Sequence, residues 1–242
     1  MFKALQDSLL SIIYPQECRV CRSLVECHDD GIACSACWAA TRIFNNSEML
    51  CNKCGAFFGE SAAPVPVYCH KCDDHFYDKA VAVGVYEKAL ASAVINLKIT
   101  PFLAQRLKTV LLTSFEREDL TSADLLIPIP LSKQRKLERG FNQAEVITDL
   151  LARITGIPVD GSSLTRNVHT PIHRMGMDKK ARELTVKNAF EVVRPRLISG
   201  KRILLVDDVF TSGATASACA KILKKNGATR VSIFTLARAV MH

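Results

Sequence analysis

From residue 79 onward the apolar positions follow two spacings that take turns along the chain. Segments with apolar runs at residues 80–86 (AVAVGVY), 125–130 (LLIPIP), 201–208 (KRILLVDD) and 231–237 (VSIFTLA) have the length of buried strands. Between them, ALASAVINLK (89–98), FLAQRLKTVLLTSF (102–115), NQAEVITDLLARI (142–154) and TASACAKILKKNG (215–227) repeat apolar residues at every third or fourth position, which predicts helices. Asn142 and Glu145 stand in capping-box positions, and Gly227 ends the last helix. Strands and helices in alternation predict an α/β fold with a parallel sheet flanked by helices.

Before residue 79 neither spacing holds, and cysteine becomes the organising residue. Nine of the ten cysteines precede residue 73. Eight of these form CxxC pairs: Cys18 and Cys21, Cys34 and Cys37, Cys51 and Cys54, Cys69 and Cys72. Two thiolates separated by two residues grip one ion from a tight turn, and two such turns complete a tetrahedral shell, so the four pairs imply two structural zinc ions. A disulfide framework needs an oxidising compartment, and a redox CxxC occurs once beside a βαβ unit rather than four times in a polar segment. A four-thiolate iron–sulfur cluster stays open on sequence grounds. The short loops favour pairing in chain order over an interleaved arrangement. Cys27 and Cys219 are surplus to both shells; Cys27 reads as an unbound thiol and Cys219, in the helical pattern after the loop, as a small buried residue, and residues 59–68 (GESAAPVPVY) read as a hairpin or loop.

Charge changes at the same boundary. Residues 1–78 hold 6 Lys+Arg against 10 Asp+Glu, a net of −4, whereas residues 79–242 hold 26 against 14, a net of +12. Two domains are expected: residues 1–78 as an N-terminal helix with a double zinc-ribbon module, and 79–242 as the α/β domain. The basic second domain points to a polyanionic ligand, either a phosphorylated small molecule or nucleic acid. Residues 1–13 are amphipathic without a small-residue cleavage site, and read as a packing helix, with weak membrane-surface contact as the lesser alternative. No apolar run nears the roughly 20 residues of a membrane-spanning helix, so a cytoplasmic protein is expected.

No GxGxxG follows a strand and no GxxxxGK[ST] occurs, which removes the dinucleotide and P-loop readings. Instead, the run at 201–208 ends in Asp207 and Asp208 and enters a turn of small residues. Adjacent carboxylates repel, so their place at the carboxyl end of a parallel strand implies a ligand. Thr211, Ser212, Gly213, Ala214 and Thr215 form the strand-to-helix turn, where backbone N–H groups and the helix dipole make a phosphate cradle. An acidic Mg2+ site in another α/β fold is the alternative, and it leaves the turn unexplained. The stretch VDDVFTSGAT (206–215) closely resembles the phosphoribosyl pyrophosphate (PRPP) motif of type I phosphoribosyltransferases. The resemblance implies that Asp207 and Asp208 bind the ribose hydroxyls and that Val209, Phe210 and residues 211–215 complete the PRPP site, with Mg2+ accompanying the ligand.

Four cysteine pairs, then IPIPLSKQRKLERGFNQ (127–143), then VDDVFTSGAT together resemble the ComF family of competence proteins over nearly the whole chain. The family pattern implies a type I phosphoribosyltransferase-like domain behind the zinc ribbons. It makes Leu131 to Gln143 the pyrophosphate-side or DNA-side loop, where Lys133, Arg135, Lys136 and Arg139 place fixed charge beside a turn at Gly140. Residues 164–190 resemble the hood that closes over such sites; Arg166, Thr170 and Arg182 match the pattern, whereas His173 and Thr185 depart from it. His169 and His173 read as surface histidines, and Lys179 and Lys180 join Arg135 and Arg139 as candidates for DNA contact. The implied role is PRPP binding together with handling of single-stranded DNA in natural transformation, with a DNA-uptake helicase or recombination protein as partner. The alternative is an active phosphoribosyltransferase that moves ribose 5-phosphate from PRPP to a nitrogen base. Serine at Cys51 and Cys54 is expected to unfold the amino-terminal module and leave the sheet domain soluble.

Overall fold

The computed structural model of the chain describes residues 14–61, 65–118, 120–167 and 189–240. The first cysteine module contains α1 (Ser35–Ala39), and the second contains the antiparallel pair β1 (Met49–Leu50) and β2 (Phe57–Gly59). Next come β3 (Lys79–Val85), α2 (Lys88–Leu97), α3 (Gln105–Arg117) and β4 (Leu125–Pro128). Two helices, α4 (Lys133–Arg139) and α5 (Gln143–Thr155), lead to the short hairpin strands β5 (Leu164–Arg166) and β6 (Phe190–Val192). The chain then runs through α6 (Pro195–Ile198), β7 (Arg202–Phe210), α7 (Ala214–Lys225) and β8 (Arg230–Arg238).

Four strands form one parallel sheet in the order β3-β8-β7-β4. The long apolar runs of β7 and β8 occupy the centre, where both faces are covered. The proline-containing β4 lies at an edge, since proline cannot donate to a second neighbour. Alternating residues feed two cores. Val81, Leu126, Leu204, Val206 and Phe234 face α2, α3 and α5. Ala80, Ile127, Ile203, Leu205 and Ile233 face α6 and α7.

Two details of the helices differ from the expectation. The helix expected from residue 102 begins at Gln105; Leu103, just before it, is buried in the same core as Leu107, Leu111 and Phe115, whereas Phe102 is 63% exposed. Asn142 caps α5 by accepting from the Ala144 N–H at 3.0 Å, but Glu145 pairs with Lys136 at 2.9 Å and so fills only half of a capping box.

The two cysteine modules straddle the sheet. Cys18, Cys34, Cys37 and Trp38 join the core on the α2 and α3 face, while Cys51, Cys54, Cys72 and Tyr77 join the core on the α7 face. The connection between them passes over the free side of β3: Phe44 N–H donates to Val83 O at 3.0 Å and Val85 N–H donates to Arg42 O at 2.9 Å. Gly84 permits this approach, since a side-chain carbon there would stand 2.3 Å from Arg42 O. Thr41, buried at the same crossing, accepts from the Ala89 N–H at 3.1 Å and so attaches the first module to the start of α2.

Candidate functional site

Pro128 pairs with Val206 in the sheet register, so the carboxyl ends of β4 and β7 lie side by side. Here the backbone leaves the sheet in two directions and opens a crevice, the usual ligand position in parallel sheets. Asp207, Thr211, Gly213 and Thr215 line a small cleft there together with Ile129 and Thr235. Two larger hollows lie elsewhere, one between the second cysteine module and β3 and the other at the amino ends of the strands. Neither is at the strand ends that carry ligands in this architecture.

The paired acids face different surroundings. Asp208 is buried; its Oδ2 takes Gln143 Nε2 at 3.2 Å and Lys98 Nζ at 3.3 Å, and its Oδ1 accepts from the Val209 N–H at 2.8 Å. Asp207 opens toward the loop and accepts from the Asp208 N–H at 2.9 Å. Burial first, and then the charge of Asp208, push the Asp207 carboxyl well above the usual range. Successive strand residues point to opposite faces, so Lys98 and Gln143 hold Asp208 from the α2 and α5 side while Asp207 faces the cleft.

The turn has the expected shape. Gly213 adopts φ 79°, the left-handed region, immediately before α7 and has no side chain with which to cap it. Thr211 and Ser212 are exposed at its tip, Ala214 and Thr215 are half-buried, and Ser212 Oγ lies 3.4 Å from the Ala214 N–H it accepts from. Val209 is half-buried against the cleft. Phe210 is only 4% exposed and packs beneath the turn, so it supports the loop rather than presenting its ring to a ligand.

The basic segment folds as a helix rather than an open loop, with Ser132 as its cap and Gly140 in the left-handed conformation at its end. Helical spacing divides its charges. Arg135 and Arg139 are half-buried, whereas Lys133 and Lys136 are exposed. Arg139 donates to Gln143 Oε1 at 2.9 Å, and Gln143 in turn reaches Asp208. Arg166, on β5, lies over the Phe190 ring at 5.3 Å; burial and the nearby Arg135 lower its pKa, while Asp207 opposes the shift. The charges of Arg135 on α4 and Asp207 on β7 are thus both felt at Arg166 on β5. Thr170, Arg182, Thr185, His169, His173, Lys179 and Lys180 lie outside the described residues, as do residues 1–13.

The cysteines separate into two clusters in chain order. The sulfurs of Cys18, Cys21, Cys34 and Cys37 lie within 4.8 Å of one another, as do those of Cys51, Cys54, Cys69 and Cys72. Representative Sγ–Sγ distances are 3.6 Å for Cys21–Cys34, 3.5 Å for Cys54–Cys69 and 3.8 Å for Cys51–Cys72. Thiolates about 2.3 Å from a tetrahedral zinc ion stand about 3.8 Å apart, so a metal fits; a disulfide brings sulfurs to about 2.0 Å. Backbone N–H groups of Val20 and Cys34 point at Cys18 Sγ, and that of Cys69 points at Cys51 Sγ. Against the opposing effect of burial, such donors bring the Cys18 thiol down to about 6 and Cys51 down to about 7, while burial drives Cys37 and Cys72 well up. Cys27 and Cys219 stand outside both clusters.

Lys98 and His75 are the residues that sequence spacing missed. Each belongs to a segment with no chemical motif, and tertiary folding brings Lys98 to Asp208 and His75 to Gly213. Among the described residues, no helix is long and apolar enough to cross a membrane.

Comparison with known proteins follows the same division. The family model for the double zinc ribbon domain matches residues 9–73. The DNA utilization protein YhgH of Salmonella typhi is 30% identical over 234 residues, 93% of this chain and 98% of that protein. Competence protein F of Haemophilus influenzae is 30% identical over 231 residues, 92% of this chain and 96% of that protein. Among solved structures, the glutamine PRPP amidotransferase from B. subtilis overlaps 61% of this chain and 26% of its own at 22% identity and a TM-score of 0.35, a likeness too loose to support a functional reading.

Proposed function

Because the chain belongs to the competence protein F (ComF) family, we propose that it binds PRPP at the β4 and β7 ends and assists in handling single-stranded DNA in the cytoplasm during natural transformation. The cleft lined by Asp207, Thr211, Gly213 and Thr215 at the left-handed turn before α7 carries this reading. The 5′-phosphate sits on the turn and the positive end of α7. Asp207 accepts from a ribose hydroxyl, Asp208 shares its outer oxygen with Lys98 and Gln143, and the pyrophosphate lies toward Arg135 and Arg166. Mg2+ travels with the pyrophosphate, and a hard oxygen donor such as the Asp207 carboxylate suits an ion that commonly takes one or two carboxylates plus phosphates. The two cysteine clusters hold structural zinc, and their role is to fold and seat the ribbons.

Calorimetry with Mg2+ and PRPP tests the site. Wild type is expected to bind, while Asp207→Asn with Asp208→Asn loses a few kcal/mol, roughly the scale of charged hydrogen bonds. No heat from either protein would mean that the turn does not hold PRPP. Pyrophosphate release with one of a panel of nitrogen bases would instead make the protein a phosphoribosyltransferase. For DNA, the net charge of +12 on residues 79–242 predicts affinity that falls steeply with salt, with a log–log slope of about −0.7 per phosphate neutralised. A flat salt dependence would remove the electrostatic grip on which the DNA reading rests.

A further inference from the structure

The second cysteine cluster and the phosphate loop share side chains. His75, shortly after Cys72, lies so close to Gly213 that a side-chain carbon on the glycine would stand 3.0 Å from the imidazole Cε1 and 3.1 Å from Nδ1. The imidazole Nδ1 is 2.7 Å from the Tyr77 hydroxyl, and Tyr77, only 1% exposed, meets Phe210 edge-on at 5.8 Å. On its other side, Phe210 lies 4.7 Å beneath the Arg238 guanidinium, whose Nη2 is 3.6 Å from Cys54 Sγ. Phe76 N–H donates to Ser217 Oγ in the first turn of α7 at 3.1 Å, and Lys221 lies 4.6 Å over the Phe76 ring. The ribbon therefore touches the turn, its supporting aromatic ring and the helix that follows.

Gly213 accepts the first hydrogen bond of α7, from the Ser217 N–H at 2.8 Å, but a glycine has many competing backbone conformations, so bracing contacts from outside the helix narrow it to this turn. The sheet supplies one side of the brace through Phe210, and the ribbon supplies the other. We propose that the second ribbon is a working part of the phosphate loop: His75 is a positioning residue whose ring fixes the Gly213 turn, so that anion affinity follows metal occupancy of the second cluster and not of the first. The first cluster packs on the opposite face, against the α2 and α3 core. The inference rests on the reading of the loop as a phosphate cradle. Reciprocity then requires that a ligand seated on the loop raise the metal affinity of the second cluster by the same factor that the metal raises ligand affinity.

Hydrogen exchange on the full-length, metal-loaded protein decides the matter, with zinc content checked in every variant. His75→Ala is expected to speed exchange of the amides at residues 214–217 by about tenfold or more, because it removes a local brace. The same variant should weaken PRPP binding by about tenfold. His75→Phe keeps a ring against Gly213 and should restore most of the protection. His70→Ala, which alters a fully exposed histidine in the same ribbon, should change neither quantity. Unchanged exchange in His75→Ala at full zinc content would overturn the brace. Faster exchange in a protein whose wild type binds no PRPP would keep the brace and overturn the phosphate reading, so the two failures are separable.

Discussion

Asp207 places opposing demands on stability and ligand binding. Its carboxyl is held above the usual range by burial and by Asp208, so the folded chain holds that proton to higher pH than the unfolded chain does. The stability linked to this group is complete below about pH 4, the unfolded carboxylate range, and is lost as pH rises through the elevated folded value. Asp207→Asn keeps an oxygen for the Asp208 N–H and removes the charge. It should therefore melt at a higher temperature than wild type at pH 7, with the gap closing near pH 4, while PRPP binding is weakened. A melting difference that does not vary with pH would show that the carboxylate bears no such cost. VDDVFTSGAT made the acids legible, but not their opposite orientations, because Lys98 and Gln143 reach Asp208 from distant parts of the chain.

Periodicity revealed the elements that bury a face and was silent on those that do not. The main strands and α2, α3, α5 and α7 each present buried apolar positions at their own repeat, so the pattern and the packing agree. KQRKLER buries no residue, and its helix rests on the Ser132 cap and the Gly140 terminus instead. The hairpin strands have three residues each, too few to establish an alternation. The contact between ribbon and loop joins Phe76 to Ser217 across 141 positions, a pairing that no local pattern encodes. The crossing over β3 gives a test at this scale. Gly84→Ala places a carbon against Arg42 O and must lift the connection from the strand. The expected cost is about 1–3 kcal/mol, as for overpacking elsewhere, measured by denaturant unfolding. An unchanged midpoint would mean that the strand and its cover adjust freely.

For the whole molecule, buried residues of both ribbons are shared with the sheet's two cores. Cys51, Cys54 and Tyr77 share a hydrophobic cluster with Ile203, Leu205 and Phe210. Serine at Cys51 and Cys54 should therefore lower the unfolding midpoint of the sheet as well, contrary to the independence that the composition break implies. Far-ultraviolet circular dichroism and tryptophan fluorescence should lose signal together, because Trp38 lies in the opposite core. A sheet that retains its native melting temperature after the second ribbon unfolds would instead favour two independent domains. The connection laid along β3 has a further consequence, for association between molecules. It occupies backbone groups that would otherwise form an open strand edge, a template for pairing with other chains. When metal is scarce, loosening of the ribbons that anchor this cover would uncover the edge, so zinc starvation should show itself first as aggregation of the newly made protein.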